Sequence, residues 1–283
     1  MAASTIGVIG AGIMGSGIAQ LAASKGLNVI LVDVNDSAVK KGIEGVNERL
    51  ARLVSKGKVT TSDKENALQH IKGSVAYDDL KPADIVIEAA TEDFNVKAKI
   101  LKQIDQIIGP NAIIASNTSS LSITKLGSTI SRPERFVGLH FFNPVPIMSL
   151  VEIVRGLQTS DTTYNSVAAL VEQLGKSPIN VKSAPGFVVN RILLPMINEA
   201  FFVLEEGYAS AADIDQGMKL GCNHPVGPLA LADMIGLDVL LSVMQILHDE
   251  FADSKYRPCP LLRELVAAGR LGRKSRRGVY SYS

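Results

Sequence analysis

Residues 6–33 read IGVIGAGIMGSGIAQLAASKGLNVILVD, and this stretch decides the fold. A short apolar run, Ile6 to Ile9, gives way to Gly10, Ala11, Gly12, Ile13, Met14 and Gly15. A helical pattern through Ile18, Leu21 and Ala22 follows, and a second β-branched run, Val29 to Val32, ends in Asp33. Strand, GxGxxG, helix and strand in this order form a βαβ unit of the dinucleotide-binding kind, and the closing acid stands 18 residues past the third glycine. Gly10 permits the tight turn, Gly12 removes a side chain where a pyrophosphate must approach, and Gly15 lets helix pack on strand. Ile13 and Met14 open the helix, whose first amides face the anion. Asp33 is expected to accept from the adenosine ribose hydroxyls, so NAD(H) is the expected cofactor. The bland alternative is a glycine turn that happens to end in a solvated aspartate, and the βαβ context weighs against it.

Outward from this unit, β-branched runs continue to alternate with helical patterns: Ile85 to Glu88, Ala112 to Ala115, Phe136 to His140 and Leu150 to Val154. Such alternation predicts a parallel sheet covered by helices. After Pro185-Gly186 the strand-like runs fade and helical periods dominate. The reading is therefore α/β, with a Rossmann-like NAD-binding domain over 1–185 and a smaller all-α C-terminal domain over 186–283. The most apolar stretch, 187–204, is interrupted by Asn190, Arg191, Asn198 and Glu199, so it predicts a buried helix and no membrane span.

Composition narrows the function. The chain has 283 residues, 46% hydrophobic and 20% charged, with 29 Lys+Arg against 28 Asp+Glu, which predicts a folded, nearly neutral protein. A net charge of +1 carries no nucleic-acid footprint. Cys222 and Cys259 form neither a disulfide framework nor a metal-ligand cluster, so a cytoplasmic, metal-free protein is expected. No basic n-region or cleavage site precedes the first strand, so no targeting segment is expected.

Val39, Ile43, Val46, Leu50 and Leu53 recur at helical spacing, and Arg49, Arg52, Lys56 and Lys58 cluster beyond that stripe. Such charges either solvate an exposed face or hold a phosphate-bearing handle on a substrate. His140 ends the strand VGLHFFNP at the carboxyl edge of the proposed sheet, where ligands bind in open α/β folds. Glu152, inside the apolar strand SLVEIVRG, is costly to bury without a partner, and His140 is a natural one. A carboxylate on one ring nitrogen fixes the tautomer and leaves the other to accept a hydroxyl proton, as alcohol oxidation needs. A core histidine and a structural carboxylate remain the alternatives. Asn117, Thr118, Ser119 and Ser120 follow a strand at the same edge, where N-capping is the simplest explanation. Asn190 opens the apolar helix and reads equally as a core amide or a group reaching the sheet edge.

GAGIMGSGIAQ, IEAATED, SNTSSLSIT, GLHFFNPVPIMSLVEIV, APGFVVNRILLPMINEA and GCNHPVGPLALADMIGLD together resemble the L-3-hydroxyacyl-CoA dehydrogenase family. The resemblance spans nearly the whole chain. It is closest to the short, stand-alone bacterial members that act on 3-hydroxybutyryl-CoA. It implies His140 as acid/base, Glu152 as its partner, and Ser119 and Asn190 near the substrate oxygen. It further implies Asp33 on the adenosine ribose, Glu92 and Lys97 on the ribose and phosphate side of NAD, Asn117 and Ser119 beside the cofactor, and Asn143 near the nicotinamide. Lys274 is implied as a further cofactor contact, and Arg52 and Lys56 as contacts to the coenzyme A phosphates. A homodimer through the C-terminal domain and a place in fatty-acid or butyrate metabolism follow from the same resemblance. The tail GRKSRRGVYSYS departs from the family pattern, with Arg276 in place of a glycine and Val279 in place of a phenylalanine. An arginine does not take positive φ as cheaply as glycine, so a rebuilt or strained turn is expected there, which puts Lys274 in doubt. Two other readings stay open: a dehydrogenase for a free hydroxy acid, of the gulonate type, and a non-catalytic NAD-binding protein of the lens-crystallin kind.

Overall fold

The computed structural model describes residues 3–282; Met1, Ala2 and Ser283, which end the N-terminal lead-in and the basic tail, lie outside the described residues. The chain divides into two compact units, Met1–Ala184 and Pro185–Ser283.

The first unit runs β1 (Thr5–Ile9), α1 (Ile13–Ala23), β2 (Asn28–Val32), α2 (Asp36–Ser55), α3 (Thr61–Gln69), β3 (Ile71–Ser74), β4 (Ile85–Glu88), α4 (Phe94–Ile107), β5 (Ile113–Ser116), α5 (Ile123–Gly127), β6 (Phe136–Phe141), β7 (Leu150–Arg155), α6 (Asp161–Gln173) and β8 (Ser177–Lys182). These strands form one sheet in the order β3-β2-β1-β4-β5-β6-β7-β8. From β1 the order runs one way through β2 to β3 and the other way through β4, so the switch point lies at the carboxyl ends of β1 and β4. That is where a doubly wound sheet binds its dinucleotide. Ile6, Val8, Ile85, Ile87, Ala115 and Val137 pack with α1 residues Ile18 and Ala22 in one core.

Apart from α1, which starts after Gly12 without a side-chain cap, the helices of this unit begin where the sequence supplies caps. Asn35 accepts from the Ala38 amide, Thr60 and Asp63 form a reciprocal capping box, and Asp93 and Ser160 accept from Val96 and Thr163.

The sheet differs from the expected all-parallel arrangement in one pairing. β6 and β7 are antiparallel, while β7 and β8 are parallel to each other. Eight residues, 142–149, join β6 to β7, and a parallel return needs a crossover of a dozen or more. β3 and β8 were not foreseen. Both are edge strands, IKGS and SPINVK, whose lysines, glycine and proline suit an unpaired edge but hide the strand pattern.

The second unit is helical: α7 (Val189–Glu205), α8 (Ala211–Gly221), α9 (Pro228–Ile235), α10 (Leu237–Phe251) and α11 (Pro260–Ala267). Leu194, Ile197, Phe201, Leu229, Leu240, Met244 and Leu262 form its core. The expected buried helix at 187–204 is buried on one face only, because Ile192 is 68% exposed. No single helix among the described residues is long and apolar enough to cross a membrane. The C-terminal tail is fastened to buried Asp233, whose carboxylate accepts from the Val279 and Tyr280 amides and the Tyr282 hydroxyl, each at 2.9 Å. The turn keeps the conformation a glycine would favour, with Arg276 at φ 57° and ψ 7°.

Candidate active site

At the end of β1 the glycines take up the strain of the turn. Gly10 has φ 98°, and a Cβ on it would meet the Ala89 carbonyl oxygen at 2.6 Å. A Cβ on Gly15 would fall on the Gly10 carbonyl oxygen, so helix and turn approach as only glycine allows. Gly12 borders open space, and Ile13 beside it is exposed. Asp33 lies at this turn: Oδ2 accepts from the Ala11 amide and Oδ1 from the Val34 amide, both at 2.6 Å. An open cradle at a helix N-terminus with a carboxylate at the neighbouring strand end fits the diphosphate and ribose of NAD.

Beside the turn, β4 ends in Glu88, opposite Ile9 of β1. Its buried carboxylate accepts from Lys97 Nζ at 2.9 Å on each oxygen, from the Ser116 hydroxyl at 2.6 Å and from the Ala90 amide at 2.7 Å. Lys97 is itself buried, its ammonium paired with Glu88 and 3.6 Å from Glu92. Glu92 Oε1 accepts from the Thr118 hydroxyl (2.6 Å), the Ser119 amide (2.8 Å) and hydroxyl (3.2 Å), and the Ser120 amide (3.1 Å) and hydroxyl (3.0 Å). Burial pushes the Glu92 carboxyl up, but the Lys97 charge and these donors outweigh it and hold the group below the usual glutamate range.

The polar run after β5 is therefore not a simple cap. Ser122 caps α5, whereas Thr118, Ser119 and Ser120 wrap Glu92. Asn117 ties two strand ends together, its Oδ1 accepting from the Phe141 amide at 3.0 Å and its own amide donating to the Glu88 carbonyl at 2.7 Å.

On β6 and β7 the antiparallel register sets His140 opposite Glu152. His140 Nδ1 and Glu152 Oε2 are 2.7 Å apart, Glu152 is fully buried and His140 is 6% exposed. The Phe142 ring lies against the imidazole with centroids 4.5 Å apart. Asn143 follows in the exposed loop.

The basic helix splits into two groups. Arg49 turns inward, donating to Gln20 Oε1 at 2.7 Å and Ser16 Oγ at 3.1 Å, and burial lowers its pKa from the ordinary arginine value. Arg52 and Lys56 stay exposed at the end of α2, Arg52 with a loose 3.9 Å contact to Glu48. Asn190 and Lys274 belong to the second unit. Asn190 is half-buried in the first turn of α7, and Lys274 Nζ is bonded to Asp238 at 2.6 Å. Lys274 thus has a partner within its own unit where a cofactor contact was expected. Sequence reasoning missed Glu88 and Ser116 and read Thr118 only as part of a capping run; the one visible signal was an acid closing an otherwise apolar central strand.

A switch-point glycine turn and a buried His–Glu pair on one sheet are the equipment of a nicotinamide-dependent dehydrogenase. Residues 5–184 match the family model described as 3-hydroxyacyl-CoA dehydrogenase, NAD binding domain, and residues 186–282 match its C-terminal domain. The chain is 53% identical to a 3-hydroxybutyryl-CoA dehydrogenase of Bradyrhizobium diazoefficiens, over 98% of this chain and 94% of that one. It is 52% identical to a probable 3-hydroxybutyryl-CoA dehydrogenase of Bacillus subtilis, over 97% and 96%. The crystal structure of (S)-3-hydroxybutyryl-CoA dehydrogenase from Ralstonia eutropha superposes with a TM-score of 0.97 at 66% identity, covering both chains fully. The chain belongs to the 3-hydroxyacyl-CoA dehydrogenase family, and NAD is its cofactor.

Proposed function

We propose that the protein interconverts short-chain (3S)-3-hydroxyacyl-CoA, typically 3-hydroxybutyryl-CoA, and the 3-ketoacyl-CoA, acetoacetyl-CoA. The observation that carries this reading is the 2.7 Å contact between His140 Nδ1 and buried Glu152. Glu152 engages Nδ1, so Nε2 is the nitrogen that takes the 3-hydroxyl proton in oxidation and returns it in reduction. As His140 gains that proton, the Glu152 carboxylate stabilises the imidazolium in a site shielded from water. Ser119, held at its amide and hydroxyl by Glu92, and Asn190 orient the substrate oxygen. Gly10, Gly12, Ile13, Met14, Gly15 and Asp33 hold the diphosphate and adenosine ribose; Glu92 and Lys97 lie on the ribose and phosphate side, Asn117 and Ser119 beside the cofactor, and Asn143 near the nicotinamide. NAD, when bound, supplies the two-electron hydride acceptor that this oxidation needs.

Arg52, held only by a loose 3.9 Å contact to Glu48, and Lys56 are exposed and suit the coenzyme A phosphates. The relatives named above support the short acyl chain. A homodimer through the helical unit is favoured by the exposed apolar side chains Ile192, Tyr208 and Leu220. Balanced charge and the absence of a disulfide among the described residues favour a cytoplasmic protein apart from nucleic acid and membranes. NADH oxidation with acetoacetyl-CoA, longer 3-ketoacyl-CoAs and free acetoacetate tests the substrate. Fast turnover that requires the coenzyme A thioester and falls with chain length is expected. Equal turnover of free acetoacetate would favour the hydroxy-acid reading, and NADH binding with no turnover of any of them the non-catalytic one.

A further inference from the structure

Lys176 is 8% exposed, yet no carboxylate pairs with its ammonium among the described residues. A buried charge is costly, and a neutral side chain would be the default at such a position. Its partners are backbone carbonyls: Nζ donates to Met148 O at 2.7 Å and to Pro146 O at 3.2 Å. Both carbonyls lie in the loop 142–149, whose two ends are the strands that carry His140 and Glu152.

This loop is short of donors of its own. Pro144 and Pro146 have no N–H, and the Ile147 and Met148 amides both turn back to the Pro144 carbonyl, at 2.9 and 3.0 Å. The far side of the loop is fixed by Val145, which is buried against Gly17 of α1. The near side is fixed where α6 ends. There Gly175 takes φ 74°, the Lys176 amide donates to Val171 O at 3.0 Å, and the Ser177 amide donates to Ser149 O at 2.8 Å. Lys176 therefore springs from a rigid corner and reaches carbonyls that the loop leaves to it. Burial and the neighbouring Lys25 charge push Lys176 below the ordinary lysine range, as expected of an ammonium held by dipoles and no counter-ion.

We propose that Lys176 is a positioning residue: its ammonium clamps the loop 142–149 and so holds the mouth of the β6–β7 hairpin at the spacing that aligns His140 with Glu152. The inference rests on the acid/base role proposed above for that pair. A displacement of about 1 Å in a reacting group can cost up to a hundredfold in rate, so the clamp should read out in turnover more than in binding.

The test compares the wild type with Lys176→Met, which keeps length and loses the donors, and Lys176→Arg, which keeps them. Three quantities are read: kcat with acetoacetyl-CoA, affinity for ADP as a probe of the adenosine half of the site, and hydrogen exchange at Ile147 and Met148. For Lys176→Met we expect kcat lower by ten- to a hundredfold, ADP affinity within twofold, and faster exchange at 147 and 148 with α1 unchanged. Lys176→Arg should recover most of kcat. Unchanged kcat, unchanged loop exchange, a matching loss of ADP affinity, equal losses in both variants, or a Met variant that does not fold would each overturn the clamp. A wild type inactive on acetoacetyl-CoA would sink the proposed function alone, since faster loop exchange in Lys176→Met would still show the clamp.

Discussion

Two carboxylates at 0% exposure, Glu88 and Glu152, persist inside apolar strands for different reasons. Glu88 is neutralised by an ammonium and two further donors, a closed arrangement with nothing left to exchange with a substrate. Glu152 meets an imidazole, whose second nitrogen can carry a proton. The His140–Glu152 pair could be read from the sequence because both residues break apolar strands. Glu88 with Lys97 could not, because the two sit on a strand and a helix joined by a loop, and no periodicity links them. Glu92 yields a pH prediction. Its folded pKa is depressed, so the stability it contributes is present above the unfolded value of about 4.3 and is lost as pH falls through the folded one. In urea titrations the wild type should therefore exceed Glu92→Gln by more at pH 6 than at pH 3.5. A difference independent of pH would show that the carboxylate charge is not what the Thr118–Ser120 turn is wrapped around.

Among the elements, the central strands declared themselves by unbroken β-branched runs, and the edge strands did not, because an exposed edge selects against that composition. The antiparallel step at β6–β7 was legible in the length of its connection, which a reading of composition alone overlooks. The tail turn shows tertiary bonds outweighing local preference: Asp233 fastens Val279, Tyr280 and Tyr282, and Arg276 accepts the left-handed region to allow it. That conformation costs a non-glycine residue roughly 1–2 kcal/mol. Arg276→Gly should recover it, less about 0.5–1 kcal/mol of glycine chain entropy, for a net gain of up to about 1.5 kcal/mol in urea denaturation. A clear loss of stability would mean that the arginine side chain, not the turn, holds this segment. On α2, Arg52→Ala with Lys56→Ala should raise KM for acetoacetyl-CoA roughly tenfold with kcat little changed, since exposed ion pairs contribute up to about 1 kcal/mol each. The N-acetylcysteamine thioester, lacking phosphates, is the control. A matching loss for both thioesters would assign these residues to the fold.

At the scale of the whole molecule, the chain pairs a cofactor-binding sheet with a helical unit that carries exposed apolar side chains outside its own core. Ile192, Tyr208 and Leu220 are 68%, 78% and 76% exposed. Sedimentation should give twice the 30.1 kDa chain mass for the wild type and a shift toward the single-chain mass for Ile192→Asp. A monomeric wild type would leave that surface unexplained by self-association. Proton transfer by the His140–Glu152 pair in an NAD(H)-dependent reaction is read out by single-turnover reduction of acetoacetyl-CoA by His140→Asn, with NADH affinity measured on the same sample. NADH binding within about twofold of the wild type is expected, with a rate lower by roughly two to four decades, the scale of positioned proton transfer. A near-normal rate with intact NADH binding would contradict it.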